Sequence, residues 1–215
     1  MKVYSYVVHK DRGFSPNPFW RYCTLACDQG LIRQVAEIGD WIVGLTPIDK
    51  KEEDHQIIYV MKIIEKITHK EYWDDPRFAL KKPDFTKAEE IFKCGDNIYE
   101  PTNNEFKQIK SYHSKSFFDD DDEWKIHKRE DLQGKFILIA DKDNFFYFGS
   151  QPIGIPSKEL ANELFCDVGH RCIADPTIPA SFHQMVNDLQ TNGKKGINAS
   201  PTIWPKEDNS WNKTI

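Results

Sequence analysis

The stretch that most constrains the fold spans residues 39–78. It opens Gly39-Asp40-Trp41-Ile42-Val43-Gly44-Leu45, crosses a polar connection, and resumes as Ile57-Ile58-Tyr59-Val60-Met61-Lys62-Ile63-Ile64. Gly39 can adopt positive φ and Asp40 can bond its own backbone, so the chain reverses before Trp41. The apolar run from Trp41 to Leu45 has strand length. The second run carries apolar side chains on both faces, the pattern of a strand buried on two sides. The connection over 46–56 holds Pro, Asp, Lys and Glu and reads as a solvated loop. The stretch closes on Tyr72-Trp73-Asp74-Asp75-Pro76-Arg77-Phe78, an aromatic and charged segment halted by proline. Two neighbouring strands followed by this segment are therefore expected.

The flanking sequence supplies both element types. Residues 2–8 are rich in Tyr and Val and predict a first strand, followed by a loop over 9–18. Residues 20–26 predict another strand. Asp28 is positioned to cap a helix over 29–38, with Leu31, Ile32, Val35, Ala36 and Ile38 as its apolar face and Gly39 as its stop. Thr86 and Glu89 have capping-box spacing for a short helix ending at Gly95. Asp119 to Asp122 reads as a solvated acidic loop. Residues 136–140 and 145–148 predict a hairpin turned by Asp141-Lys142-Asp143-Asn144. Helices are predicted from Ser157 to about Phe165 and over 179–190, with Phe182, Met185, Val186 and Leu189 on one side. Strands and helices do not alternate regularly, so the class is α+β rather than doubly wound. The expected division is a main domain over 1–156, a helical extension over 157–193 and a polar tail over 194–215, held down only where Trp204 or Trp211 docks.

Composition excludes several function classes. With 215 residues and a formal net charge of −5, the chain is large enough for a real core but ill suited to gripping a long phosphate backbone through its overall field. Contact with nucleic acid then calls for a local patch, or for a single base or nucleotide. The cysteine count is odd, at 5. No secretory pattern or run of membrane-span length accompanies the cysteines, so a reduced, cytoplasmic setting is expected. Cys23-x3-Cys27 does not have zinc-knuckle spacing, contiguous carboxylates do not form a calcium loop, and no phosphate-binding glycine loop or nucleophile elbow occurs. No metal and no cofactor are therefore expected. Cys23 with a distant His113 is a candidate nucleophile–base pair. The remaining constellation is aromatic and rich in Asp and Arg: Phe14, Pro16, Asn17 and Phe19 in the first loop, Trp41 at a strand start, and Tyr72, Trp73, Asp75, Arg77 and Phe78. Such side chains can stack a flat heterocycle and bond its edge, or they can form a buried aromatic cluster pinned by a surface ion pair.

An ordered series of short motifs narrows this reading. It comprises Tyr4-Ser5-Tyr6-Val7-Val8, Asp11, Gly13-Phe14-Ser15-Pro16-Asn17-Pro18-Phe19, Cys23-Thr24-Leu25-Ala26, Ile32-Arg33, the Gly39 to Gly44 strand, Tyr59, the Tyr72 to Phe78 segment, Lys82-Pro83, Gly95-Asp96-Asn97-Ile98-Tyr99, Tyr147-Phe148-Gly149 and Ile155-Pro156. Across residues 1–156 this resembles the nucleotide-modification-associated domain family of the second type, a bacterial and phage family linked to systems that modify or restrict DNA. Residues 30–80 are also similar to the PUA superfamily, with its EVE and ASCH domains, whose small β-barrels hold a modified or flipped base between aromatic rings. The resemblances imply a PUA-like barrel with surrounding helices and a modified base or nucleotide as ligand. Phe14, Trp41, Tyr72 and Trp73 would then be its walls, Asn17, Asp75 and Arg77 its polar contacts, and Lys82 would lie near phosphate. One alternative is an enzyme acting on nucleotides or modified bases, with Asp11, Asp40 or Asp75 as general base and Cys23 as nucleophile. Another is a protein-interaction module with a protein partner in a modification or defence system.

Overall fold

The computed structural model describes residues 1–48 and 54–214. Of the connection expected over 46–56, residues 49–53 lie outside the described residues. The strands are β1 (Lys2–Val7), β2 (Tyr22–Leu25), β3 (Trp41–Leu45), β4 (Gln56–Lys62), β5 (Glu65–Thr68), β6 (Tyr99–Pro101), β7 (Phe106–Gln108), β8 (Phe136–Asp141), β9 (Phe145–Tyr147), β10 (Ile153–Gly154), β11 (His170–Ala174) and β12 (Gly196–Ile197). The helices are α1 (Gly30–Val35), α2 (His69–Asp74), α3 (Asp121–Gln133), α4 (Lys158–Leu164) and α5 (Ala180–Thr191). Among the described residues, no helix is long and apolar enough to cross a membrane.

The two runs of the organising stretch become β3 and β4, antiparallel neighbours at the centre of a seven-stranded sheet ordered β11-β1-β3-β4-β9-β12, with β10 beside β4. Side chains alternate between its faces because strand periodicity is two. Val3, Trp41, Val43, Val60 and Phe146 face α4 and α5, where Leu160, Leu164, Phe182 and Met185 cover them. Tyr4, Tyr6, Ile42, Tyr59 and Met61 face the other way, onto Cys23, Leu25, Leu138 and Ala140 of a second sheet ordered β2-β8-β5. The far side of that sheet, with Ile137 and Ile139, packs on Phe14, Tyr72, Phe78 and Tyr99. Gly44 is required where the layers meet, because a Cβ there would lie 2.2 Å from the Tyr59 ring.

The architecture is α+β, as expected, but the PUA-like barrel requires correction. Among the described residues the outer strands β11 and β12 do not pair with each other, so the large sheet stays open. Apolar side chains leave both faces and are covered by helices on one side and by the smaller sheet on the other. Closure into a barrel would have to displace one of those layers.

Other expectations shift for local reasons. The expected hairpin at 136–148 is a corner, since β8 pairs with β2 and β5 while β9 pairs with β4 in the other sheet. The capping box lies at Thr68 and Glu71, heading α2, while Thr86 bonds Asp84 instead. The acidic run is half helix, because Asp120 caps α3 by accepting the Asp122 N–H. Charge on every side of α3 leaves no apolar stripe for sequence periodicity to reveal. The 157–193 segment contributes β11, which pairs antiparallel with β1, as well as α4 and α5. The tail adds β12 alongside β9, and Trp204 stacks on Phe19 at 5.2 Å while donating its indole N–H to the Arg12 carbonyl at 2.8 Å.

Candidate functional site

A cleft of about 760 Å³ opens between the loop after β1, the start of α1, the 112–118 segment and α3. Phe14, Asp28, Tyr112, His113, Phe117 and His127 are among the residues that line it. Its floor is built by strain and buried charge. Asp28 and Gln29 take left-handed φ values of 54° and 44° in succession, a conformation that costs free energy in non-glycine residues and persists only when its surroundings enforce it. The enforcing groups are Arg33 and Asp131. Wholly buried Arg33 donates from Nε to the Asp28 carbonyl at 2.7 Å, from Nη1 to the Phe136 carbonyl at 3.0 Å and from Nη2 to the Asp131 carbonyl at 2.6 Å. Gly134 leaves room for it, since a Cβ there would stand 2.2 Å from Arg33 Cζ. The Asp28 N–H donates to Asp131 Oδ1 at 2.7 Å.

Asp131 Oδ2 accepts from the Tyr99 hydroxyl at 2.8 Å and lies 2.8 Å from His113 Nδ1. Burial alone would raise the Asp131 carboxyl, but the His113 hydrogen bond and charge, with Arg33 and the Asp28 N–H, hold it below its usual range. Burial likewise disfavours the charged His113, yet the Asp131 hydrogen bond and the Asp28 and Asp131 charges outweigh it and set its pKa at about 9. His113 is therefore an imidazolium at neutral pH, with Nε2 3.7 Å from Asp28 Oδ1 and its ring 4.5 Å from Phe14 and 5.6 Å from His127. On the inner side, His69 Nε2 lies 3.3 Å from the Asp131 carbonyl oxygen. Burial and the Arg33 charge bring His69 down to about 4, so it is neutral.

The two imidazoles bias stability in opposite directions. His113 holds its proton more tightly folded than unfolded, so its contribution is complete below pH 6.5 and is lost as pH rises through about 9. His69 is the reverse: its contribution is complete above pH 6.5 and is lost as pH falls towards 4. Each is worth on the order of 3 kcal/mol at about 1.4 kcal/mol per pKa unit. Urea unfolding across this range should show the alkaline loss flattened in His113→Gln, with the acid loss retained. An alkaline limb indifferent to that substitution would contradict a charged His113.

Cys27, His113 and Asp131 also place donor atoms within 4.8 Å of one another. Burial pushes the Cys27 thiol up and its Sγ donates to the Asp96 carbonyl oxygen at 3.8 Å, while the Asp131 oxygens accept from the Asp28 N–H and the Tyr99 hydroxyl.

The family model for nucleotide modification associated domain 2 matches residues 1–208. The chain belongs to the nucleotide modification associated domain 2 family. The match runs past residue 156 through α5 and β12, whose strands and helices complete the large sheet and its cover. Comparison with curated proteins and with solved structures found no match.

In this nucleotide modification associated domain, the residues expected to form a pocket are dispersed. Of the expected walls and contacts, Phe14 lines the cleft. Trp41 is 7% exposed in the core beneath α5, its ring edge-on to Phe182 at 5.7 Å. Tyr72 is buried and donates its hydroxyl to Asp96 Oδ1 at 2.6 Å. Asn17 is buried too, accepting from Lys81 Nζ at 2.6 Å and donating to the Cys94 carbonyl at 2.9 Å. Desolvation brings that enclosed Lys81 down to about 8. Trp73 lies under Lys82 Nζ at 3.9 Å, and Arg77 is clamped between Asp75 and Glu65 at the surface. The geometry thus joins Trp73 to Lys82 and Asp75 to Arg77, and does not gather the set into one slot.

The expected acid–base groups are each engaged elsewhere in the fold. Asp11 accepts from Tyr147 and from Thr202, tying the tail to the first loop. Asp40 Oδ1 accepts the Lys2 N–H and Oδ2 the Glu37 N–H, securing the turn before β3. Cys23 lies in the inter-sheet core, where burial pushes its thiol up, and His113 is engaged by Asp131 instead. No local sequence pattern marks Asp28, Arg33 and Asp131 as a unit, because 103 residues separate Asp28 from Asp131. Asp28 matched a helix cap, yet α1 has no side-chain cap at all.

Proposed function

We propose that the protein binds a nucleotide bearing a modified base in the cleft above His113. One observation carries this reading: a charged imidazole, held by a buried carboxylate, at the foot of walls made by Phe14, Tyr112, Phe117 and Phe118. Aromatic rings stack a base with little regard to its sequence, and fixed polar groups at one end give it orientation. Membership of a family named for its association with nucleotide modification supports a nucleotide as the ligand class, in a proposed cytoplasmic role beside systems that modify or restrict DNA. Phe117 is 47% exposed, so Phe117→Ala leaves the core alone. Stacking is worth about 1–3 kcal/mol per base, so titration calorimetry with a panel of unmodified and modified nucleotides should show about tenfold or greater weakening in that variant. Undiminished affinity in Phe117→Ala, or no nucleotide bound by the native protein, would overturn the assignment.

A second reading, an enzyme acting on the bound nucleotide, is favoured by the strained Asp28. Strain enforced around a carboxylate that faces an imidazolium is typical of reacting centres. In this role Asp28 accepts a proton from water or substrate while His113 supplies charge. Asp28→Asn would then bind nucleotide yet lose turnover. Turnover at the native rate in Asp28→Asn excludes the role.

A further inference from the structure

Two cationic side chains line the cleft without an ion pair among the described residues. The whole chain carries a net charge of −5, yet Lys10 and Arg12 both line this opening and neither has a carboxylate partner among the described residues. Arg12 is also held in place. Its guanidinium lies over the Tyr112 ring, 5.3 Å from the centroid. The Tyr112 hydroxyl is fixed to Glu90 at 2.5 Å, and the Arg12 carbonyl is fixed by Trp204 at 2.8 Å. A guanidinium set on an aromatic platform with free N–H groups is arranged to receive a phosphate.

Other walls of the same cleft carry Asp28, Glu123 and Glu130. A continuing phosphodiester backbone would meet those carboxylates, and its repulsion would add to that of the acidic surface. A single phosphate on the Lys10 and Arg12 side would not. A volume of about 760 Å³ also falls within the usual range for a small-molecule site.

Resting on the nucleotide reading above, the geometry points to a free 5′-mononucleotide as the ligand, with its phosphate on Arg12 and Lys10 and its base towards Phe117. The test compares each 2′-deoxynucleoside with its 5′-monophosphate, in unmodified and modified forms, and with a single-stranded oligonucleotide, by titration calorimetry at low and moderate salt. The monophosphates are expected to bind at least about tenfold tighter than the nucleosides, as a charge-assisted contact allows. That advantage should shrink with salt, and the oligonucleotide should bind more weakly than the monophosphate. In Arg12→Gln and Lys10→Gln, both with unchanged melting temperature, nucleoside affinity should persist while the monophosphate advantage falls towards parity. Nucleosides binding as tightly as monophosphates, an advantage untouched by either substitution, or a preference for the oligonucleotide would overturn the inference and leave the nucleotide cleft standing. Failure of every probe to bind would overturn both.

Discussion

Arg33→Ala is expected to remove about 3–5 kcal/mol of folding free energy, the usual result of deleting one member of a buried charged cluster. The side chain is fully buried, and its N–H groups reach three carbonyl oxygens, on Asp28, Phe136 and Asp131. Those contacts join the start of α1, the entrance of β8 and the end of α3, so the loss would leave carbonyls unpaired at three places together. Arg33→Lys tests the geometry separately from the charge. An ammonium cannot reproduce the planar fork, and an intermediate loss of stability is expected. Because Arg33 also holds Asp28 in its left-handed conformation, the alanine variant should lose nucleotide affinity more steeply than the lysine variant. Urea denaturation gives the first quantity and calorimetry the second. A stability loss under about 1 kcal/mol, the scale of a single neutral hydrogen bond, would mean that the three segments hold together without the guanidinium.

Trp41→Ala has the next largest expected effect, about 3–5 kcal/mol, as for other buried large-to-small aromatic substitutions. The indole fills the layer between the large sheet and α5, against Phe182, with Val3, Val43 and Met185 in the same cluster. The experiment separates two roles for one residue. A core indole loses stability on truncation and leaves the nucleotide affinity of the folded protein unchanged. A pocket wall loses affinity by tenfold or more and costs little stability. The burial of Trp41 assigns it to the first, and a variant that kept its melting temperature while losing ligand would reverse that assignment.

The organising strands were legible because burial on two sides leaves continuous apolar runs. Trp41 to Leu45 and Gln56 to Lys62 became neighbours at the middle of the sheet, and the turn at Gly39 and Asp40 formed with positive φ at the glycine. α4 and α5 were readable from a serine cap and from the Phe182, Met185, Val186 and Leu189 spacing. α3 was not, because its residues are charged all round and its inward contacts are mainly Leu132, Asp131 and the Trp124 indole N–H on Gln108. The helical face expected at 31–38 was too wide. Leu31 and Val35 are 64% and 48% exposed, and the residue turned inward beside Ile32 and Ala36 is the arginine. A hydrophobic pattern assigns Arg33 to solvent, and only the enclosing carbonyls explain its position.

Taken by itself, the sequence determined the α+β class, the central strands, the C-terminal helices and the family, since each is written in local periodicity or in an ordered run of short motifs. Tertiary structure alone decided which aromatic rings meet open space and which are sealed. It also decided that Asp28, Arg33, His113 and Asp131, spread over about a hundred residues, share one site. The physical reason is that burial and ionisation depend on what surrounds a side chain in three dimensions. Asp131 is ionised and His113 charged because each faces the other across a fold that no short stretch of chain encodes.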